Sequence, residues 1–216
     1  MNPTQFVPKG VAYRDLEDKV RQESRNVVIQ AEFVIHTASN WNPSSRVTPD
    51  LLKELQRLAV NQIYRCAGFF RDDVVKLEGG THQPPPHEQV PGLMDLMCEY
   101  VNHNWQNATA AHLSAYLMWR MNWIHPFFGG NGRTSRAISY LALCAKLGFV
   151  LPGTKTIPEL IAEDRDPYYN ALRLADAEWE KQKLDVSAME DLISRLLAAQ
   201  LVQIHEQATG RRAPKA

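Results

Sequence analysis

Apolar residues recur at helical intervals along most of the chain. Between about residues 14 and 37 they lie three, four or seven positions apart, which places them on one face of a helix; the set is Leu16, Val20, Val27, Ala31 and Val34. A second helix is predicted to begin at Thr48-Pro49, because threonine caps a helix start and proline suits its first position. Apolar positions from Leu51 to Ala59 continue it.

The same spacing predicts further helices. One begins near Leu93, and others cover residues 108–122, 134–147, 158–179 and 187–207. Gly148 follows the third of these directly and is expected to end it as a C-cap. Because neither an internal repeat nor a linker interrupts the pattern, the sequence predicts a single all-α domain.

Residues 68–92 differ from the rest of the chain. Val74, Val75 and Leu77 favour a strand, and Gly79-Gly80 and a run of three prolines follow them. Such a stretch is typical of a hairpin or an extended segment and not of a helix. We therefore expect a small β-hairpin flap at this point.

Composition narrows the class of protein. The 216 residues are 44% hydrophobic and 22% charged, and 24 basic residues balance 24 acidic ones. A nucleic-acid-binding protein that depends on its overall field would be more basic, so no nucleic-acid partner is expected. Three cysteines without metal-ligand spacing indicate buried thiols in a reducing compartment. Without a signal-like start or an apolar run of membrane length, we predict a cytoplasmic protein without a membrane partner.

The segment from His125 to Arg136 carries the chemistry. Pro126 stops the preceding helix, and Gly129, Gly130 and Gly132 let a ligand approach the main chain. The next helix begins at once, so its free N–H groups and positive dipole end face this loop and favour a phosphate. Arg133 and Arg136 lie three positions apart and can lean towards the same anion.

His125 stands at the mouth of this loop. It is the side chain there whose pKa suits proton removal near neutral pH. A histidine base beside bound phosphates indicates transfer at phosphorus to an acceptor hydroxyl, a reaction in which positioning and charge stabilisation dominate.

The segment resembles the signature of the Fic family, H-x-F-x-[DE]-G-N-G-R-x-x-R. The match holds at seven of the eight defined positions: His125, Phe127, Gly130, Asn131, Gly132, Arg133 and Arg136. The resemblance implies a Fic-type helical bundle, with an N-terminal arm and helix over residues 1–45, a Fic core over 46–182, and a C-terminal helix and basic tail over 183–216.

The resemblance also implies a function, the transfer of AMP from the substrate ATP to a hydroxyl side chain of a target protein. His125 would be the general base. Asn131 and the amides of Gly130 and Gly132 would hold the transferred phosphate, and Arg133 and Arg136 the outer phosphates. Tyr168 and Tyr169 resemble the border of the family's adenine pocket. The flap residues Val74, Val75, Lys76 and Leu77 would bind an extended stretch of the target by strand addition.

Gly129 departs from the signature, which has aspartate or glutamate there to hold Mg²⁺ on the nucleotide. Glycine offers this cation no oxygen side chain. Three interpretations follow: weakened adenylylation with Mg²⁺ held by other oxygens, transfer of a different phosphate-linked group, or a non-catalytic nucleotide-binding adaptor. On the first interpretation, Gly129→Asp or Gly129→Glu is expected to raise transfer activity.

The second departure from the family pattern concerns the control of activity. Many family members carry an inhibitory helix with the pattern [ST]-x-x-x-E-[GN], and this chain lacks it. A separate inhibitory protein is one expectation, and Glu23 or Glu32 of the helix at residues 14–37 is another. The target protein is not indicated by the sequence.

Overall fold

The computed structural model describes residues 12–77, 82–153 and 155–209, which form a helical bundle. The described part contains eight α-helices and one short 3₁₀ turn at His87–Gln89. The helices are α1 (Leu16–Ser39), α2 (Pro49–Val60), α3 (Val90–Asn104), α4 (Ala110–Ile124), α5 (Asn131–Leu147), α6 (Ile157–Glu163), α7 (Asp166–Glu180) and α8 (Ser187–Thr209). The prediction of an all-α fold is confirmed. Of these helices, none has the length and apolar content needed to cross a membrane.

Helices α4 and α5 form the centre of the bundle. Every residue of α4 from Leu113 to Met121 is buried, as expected of a helix that is surrounded by others. Ser114 and Ser139 join the two helices by a hydrogen bond of 2.6 Å between their hydroxyl oxygens. Helices α1 and α2 pack on α5, whereas α3, α7 and α8 pack on α4.

The predicted helix ends agree with the structure at two places. Thr48 Oγ1 accepts a hydrogen bond from the backbone N–H of Leu51 at 3.2 Å, and Pro49 occupies the first position of α2. Gly148 ends α5 in the left-handed region with a φ of 80°. Glycine has no Cβ to clash in that conformation, which explains its place after Leu147.

The single helix predicted over residues 158–179 is wrong, because the structure divides it into α6 and α7. Helix α6 ends at Glu163, and Pro167 stands in the first turn of α7. Proline has no N–H and disfavours helical angles in the residue before it, so a continuous helix cannot run through this point. Asp164 accepts a hydrogen bond from the N–H of Asp166 across the break.

The predicted β-hairpin contains no strand within residues 68–77 and 82–92, the described parts of that stretch. Residues 78–81, which include the Gly-Gly pair, lie outside the described residues, as do the predicted arm before Ala12 and the tail after Thr209. Val74 is 63% exposed and Val75 only 8% exposed, with Lys76 exposed again. Exposed and buried side chains thus alternate along this segment as they would in a strand. Within the described residues no strand pairs with it, and side-chain contacts hold it instead.

Candidate active site

The loop between α4 and α5 and the first turns of α5 carry the predicted catalytic histidine and the predicted phosphate-binding residues. His125 ends α4 in the left-handed conformation, with φ 50° and ψ 58°, and its N–H donates to the carbonyl of Met121 at 3.0 Å. A residue other than glycine rarely adopts these angles unless its surroundings impose them. The turn at His125 directs the chain away from the axis of α4 and towards the start of α5.

Burial sets the protonation of His125. Loss of solvent lowers its pKa to about 4, and the positive charges of Arg71 and His82 contribute to the decrease. A hydrogen bond to the backbone of Asn122 opposes it. The imidazole is therefore neutral at physiological pH and has a lone pair that can accept a proton.

Arg71 holds His125 in place, and sequence reasoning missed it. Its side chain is 3% exposed. Its guanidinium donates to the carbonyls of His125 at 2.8 Å and Asp73 at 3.1 Å, and also to that of Pro85. Its own N–H donates to the carbonyl of Pro126 at 2.8 Å. One buried cation thus connects both flanks of the flap to the turn that carries the histidine.

Asn131 shapes the loop from inside. Its side-chain amide donates to the carbonyl of Phe127 at 2.7 Å, and its side-chain oxygen accepts from the N–H of Phe127 at 3.0 Å. Phe127 is fully buried beside Phe70, with the two ring centroids 5.5 Å apart. The structure therefore shows Asn131 binding the loop backbone, and its contact with a phosphate stays a prediction.

The start of α5 presents backbone donors to this loop. Gly130 is its N-cap, with a φ of 79°, and the carbonyl of Gly130 accepts the first backbone bond of the helix from Thr134 at 2.9 Å. The N–H groups before Thr134, including those of Asn131 and Gly132, precede that first bond and so have no partner within the helix. This is the arrangement that suits an anion at a helix N-terminus.

The two arginines of the motif differ in their surroundings. Arg133 donates to the carbonyl of Ala59 at 3.0 Å and lies 3.3 Å from the carboxylate of Glu23 on α1. Arg136 is half-buried, and this burial lowers its pKa. Within the described ranges, Arg136 has neither a carboxylate in salt-bridge distance nor a hydrogen-bonded acceptor. A cation that is partly removed from water in this way favours an anionic ligand.

Tyr168 and Tyr169 occupy different environments on α7. Tyr168 is 2% exposed, and its hydroxyl accepts a hydrogen bond from the Asn122 side chain at 2.7 Å. Burial raises the pKa of this hydroxyl. Tyr169 is 44% exposed. Tyr169 is therefore the better placed of the two to contact a nucleotide, which stays a prediction for both.

The residues around Gly129 do not fit a magnesium ion held by the protein. Within the described residues, no three histidine, cysteine, aspartate or glutamate side chains are grouped so that they could hold a metal ion. A Cβ added at Gly129 would lie 2.5 Å from Cε2 of Tyr64. The expected gain in activity from Gly129→Asp or Gly129→Glu thus meets an obstacle that the sequence did not reveal, because the aromatic ring fills the space that the new side chain needs.

Comparison with known proteins agrees with this geometry. Residues 46–143 match the model of the Fic/DOC family. A Fido domain-containing protein of Dictyostelium discoideum is 41% identical over 69 residues, which are 32% of this chain and 43% of that protein. The match therefore spans less than half of the relative's length.

Two solved structures share the fold. A Fic domain-containing signalling protein from Bacteroides thetaiotaomicron superposes with a TM-score of 0.74 at 21% identity, covering 94% of this chain and 77% of its own. The BepC protein of Bartonella tribocorum, a VirB-translocated effector solved with bound AMPPNP, gives 0.58 at 15% identity, covering 88% and 95%. The chain thus shares the helical architecture of these Fic-domain structures, and its residues 46–143 match the Fic/DOC family model.

Proposed function

We propose that this protein transfers AMP from ATP to a hydroxyl side chain of a target protein. The observation that carries the proposal is the position of a neutral, half-buried His125 at one end of a loop whose other end presents the α5 amides and Arg136, which has no acidic partner within the described residues. The site thus combines a proton acceptor with groups that bind a polyphosphate. The relative solved with AMPPNP, an ATP analogue, supports the choice of nucleotide.

The reaction follows from these roles. His125 takes the proton of the acceptor hydroxyl, and the hydroxyl oxygen attacks the α-phosphorus of ATP. The bond from that phosphorus to the bridging oxygen breaks, and pyrophosphate leaves with the bonding electrons. Arg136 and the amides at the start of α5 stabilise the negative charge that moves onto the phosphate oxygens.

A second candidate is a non-catalytic module that binds a nucleotide and a partner protein. The observation that favours it is Gly129, which leaves the loop without the carboxylate that the family signature has at this position. Transfer of a different phosphate-linked group is the third possibility and uses the same base and anion site.

Labelled ATP separates these candidates. We expect wild-type protein, incubated with a lysate and ATP labelled at the α-phosphate, to label a protein, and His125→Ala to abolish the label. His103→Ala removes an exposed histidine at the end of α3 and serves as the matched control. Label from the γ-phosphate alone would indicate phosphoryl transfer, and nucleotide binding without any label would indicate the adaptor. Labelling that survives in His125→Ala would contradict the proposed base.

A further inference from the structure

Two consecutive glycines of the loop lie against an apolar wall formed by Val60 and Tyr64. A Cβ added at Gly130 would lie 2.6 Å from Cγ1 of Val60. A Cβ added at Gly129 would lie 2.5, 3.1 and 3.2 Å from Cε2, Cδ2 and Cζ of Tyr64. Because carbon atoms in contact are normally about 3.5–4.0 Å apart, neither position accepts a side chain against this wall.

The two glycines are required for different reasons. Gly130 has a φ of 79°, so both its conformation and its surroundings demand glycine. Gly129 does not have a positive φ, so the left-handed conformation is not what requires glycine there. The ring of Tyr64 is therefore the feature of the structure that requires glycine at position 129.

Both members of this pair are held in place. The side chain of Gln56 is fully buried; its amide donates to the carbonyl of Gly129 at 3.0 Å, and its oxygen accepts from the N–H of Gly68. The backbone N–H of Tyr64 donates to the carbonyl of Val60 at 3.2 Å, and its ring packs on the small cluster of Ala59, Val60 and Ile63. A side chain at Gly129 would therefore require the Tyr64 ring or the loop to move.

We propose that Tyr64 and Gly129 form a matched pair, in which the ring fills the space of the missing side chain and keeps a metal-binding carboxylate out of the phosphate loop. This inference rests on the proposed function. It implies that backbone amides and arginines bind the nucleotide and that the protein itself holds no cation. With these ring carbons against Gly129, no carboxylate fits at this position to supply the oxygen ligands that Mg²⁺ prefers. Any cation that accompanies the nucleotide is then held by phosphate oxygens and water, and binding depends little on it.

The pairing is tested first by stability, without a nucleotide. We expect Gly129→Ala to lower the melting temperature by about 5 °C in wild type, because one methyl group overpacks the contact. In a Tyr64→Ala background the same substitution should lower it by no more than about 1 °C. Gly92→Ala is the matched control, since a Cβ there meets nothing within 4 Å. Equal melting temperatures for wild type and Gly129→Ala, or equal losses in both backgrounds, would overturn the pair.

The second test measures ATP binding by calorimetry in Mg²⁺ and in EDTA. Wild type is expected to show affinities within about threefold of each other, and the Gly129→Asp/Tyr64→Ala double variant to gain at least about tenfold in Mg²⁺. A wild type that already binds tenfold more tightly in Mg²⁺, or a folded double variant without this gain, overturns the proposal. Wild type that binds no ATP in either condition overturns the proposed function, and the melting experiment still decides whether Tyr64 and Gly129 are paired.

Discussion

The carboxylate of Glu23 lies 3.3 Å from the guanidinium of Arg133, so that helix α1 places an acidic group on the first arginine of the phosphate loop. Glu32, the other acidic candidate on this helix, is exposed to solvent. Arg133 therefore already pairs with an acidic side chain of the same protein, whereas Arg136 pairs with none within the described residues. A nucleotide that used Arg133 for its outer phosphates would compete with Glu23.

Removal of this competitor should strengthen nucleotide binding. We expect Glu23→Gln to raise the affinity for ATP by up to about fivefold, the range of a partly exposed ion pair. Glu17→Gln, on the same helix, removes an exposed carboxylate that pairs with Arg21 and should leave the affinity unchanged. Calorimetric dissociation constants at low and high salt measure the effect. An equal change in both variants would assign it to overall charge and not to Arg133.

The pKa of His125 predicts how stability depends on pH. Because this pKa is about 4 in the folded protein and ordinarily 6.5, the unfolded chain binds the proton more readily between these values. The contribution of this group to the free energy of unfolding, which is fully present above pH 6.5, is therefore lost as the pH falls towards 4. This loss is at most about 3 kcal/mol. We expect His125→Asn to melt with a smaller decrease between pH 7 and pH 4.5 than wild type. Asparagine is chosen because it tolerates the left-handed conformation.

The same pKa predicts the pH dependence of transfer. Since the base is neutral above about pH 5, we expect the single-turnover rate of the purified protein to change little from pH 8 to pH 5.5 and to fall below that. A rate that already falls between pH 7 and pH 6 would show that the reacting base has an ordinary histidine pKa.

Arg71 should matter for both stability and rate. Arg71→Met removes the donor that four backbone carbonyls share, and buried acceptors without partners are costly, so we expect a loss of about 2–4 kcal/mol in the free energy of unfolding. The exposed Arg65 provides the matched control, Arg65→Met, which should lose less than about 0.5 kcal/mol. Urea denaturation measures both. At temperatures where Arg71→Met remains folded, a reduced rate at saturating ATP would identify Arg71 as a positioning residue for His125, and an unchanged rate would leave it a purely structural one.

The flap allows a comparison between two adjacent valines. Val74 is exposed and Val75 is buried. We expect Val74→Asp to reduce labelling of the target at least fivefold with little change in melting temperature, because an outward-facing residue can contact only the partner. Val75→Asp should lower the melting temperature markedly, since it buries a charge. Full labelling by a folded Val74→Asp protein would contradict the proposed role of the flap.

Sequence patterns predicted the features of the fold that depend on a few neighbouring residues. The cap at Thr48-Pro49, the end of α5 at Gly148 and the glycine-rich turn before α5 each follow from the conformational preferences of a few neighbouring residues. Glu23 was named from the sequence together with Glu32, and the structure shows which of the two contacts the motif. The contacts of Arg71 and Tyr64 were out of reach, because each joins segments that are dozens of residues apart and neither residue belongs to a motif. The break between α6 and α7 was missed for a different reason: Pro167 was visible, but the apolar spacing continued past it.

Helix α7 is joined to α4 one turn before the histidine, through the Asn122–Tyr168 hydrogen bond and a second one, of 2.8 Å, from the Trp119 indole to Asp176. Two hydrogen bonds thus connect the helix that carries Tyr169 to the helix that carries His125. A ligand that settles between them would find the surface already ordered and would lose little of its binding free energy to arranging it. The affinity for a ligand at this site would then depend mainly on the contacts between ligand and protein. A single substitution in the loop would change the affinity through those contacts.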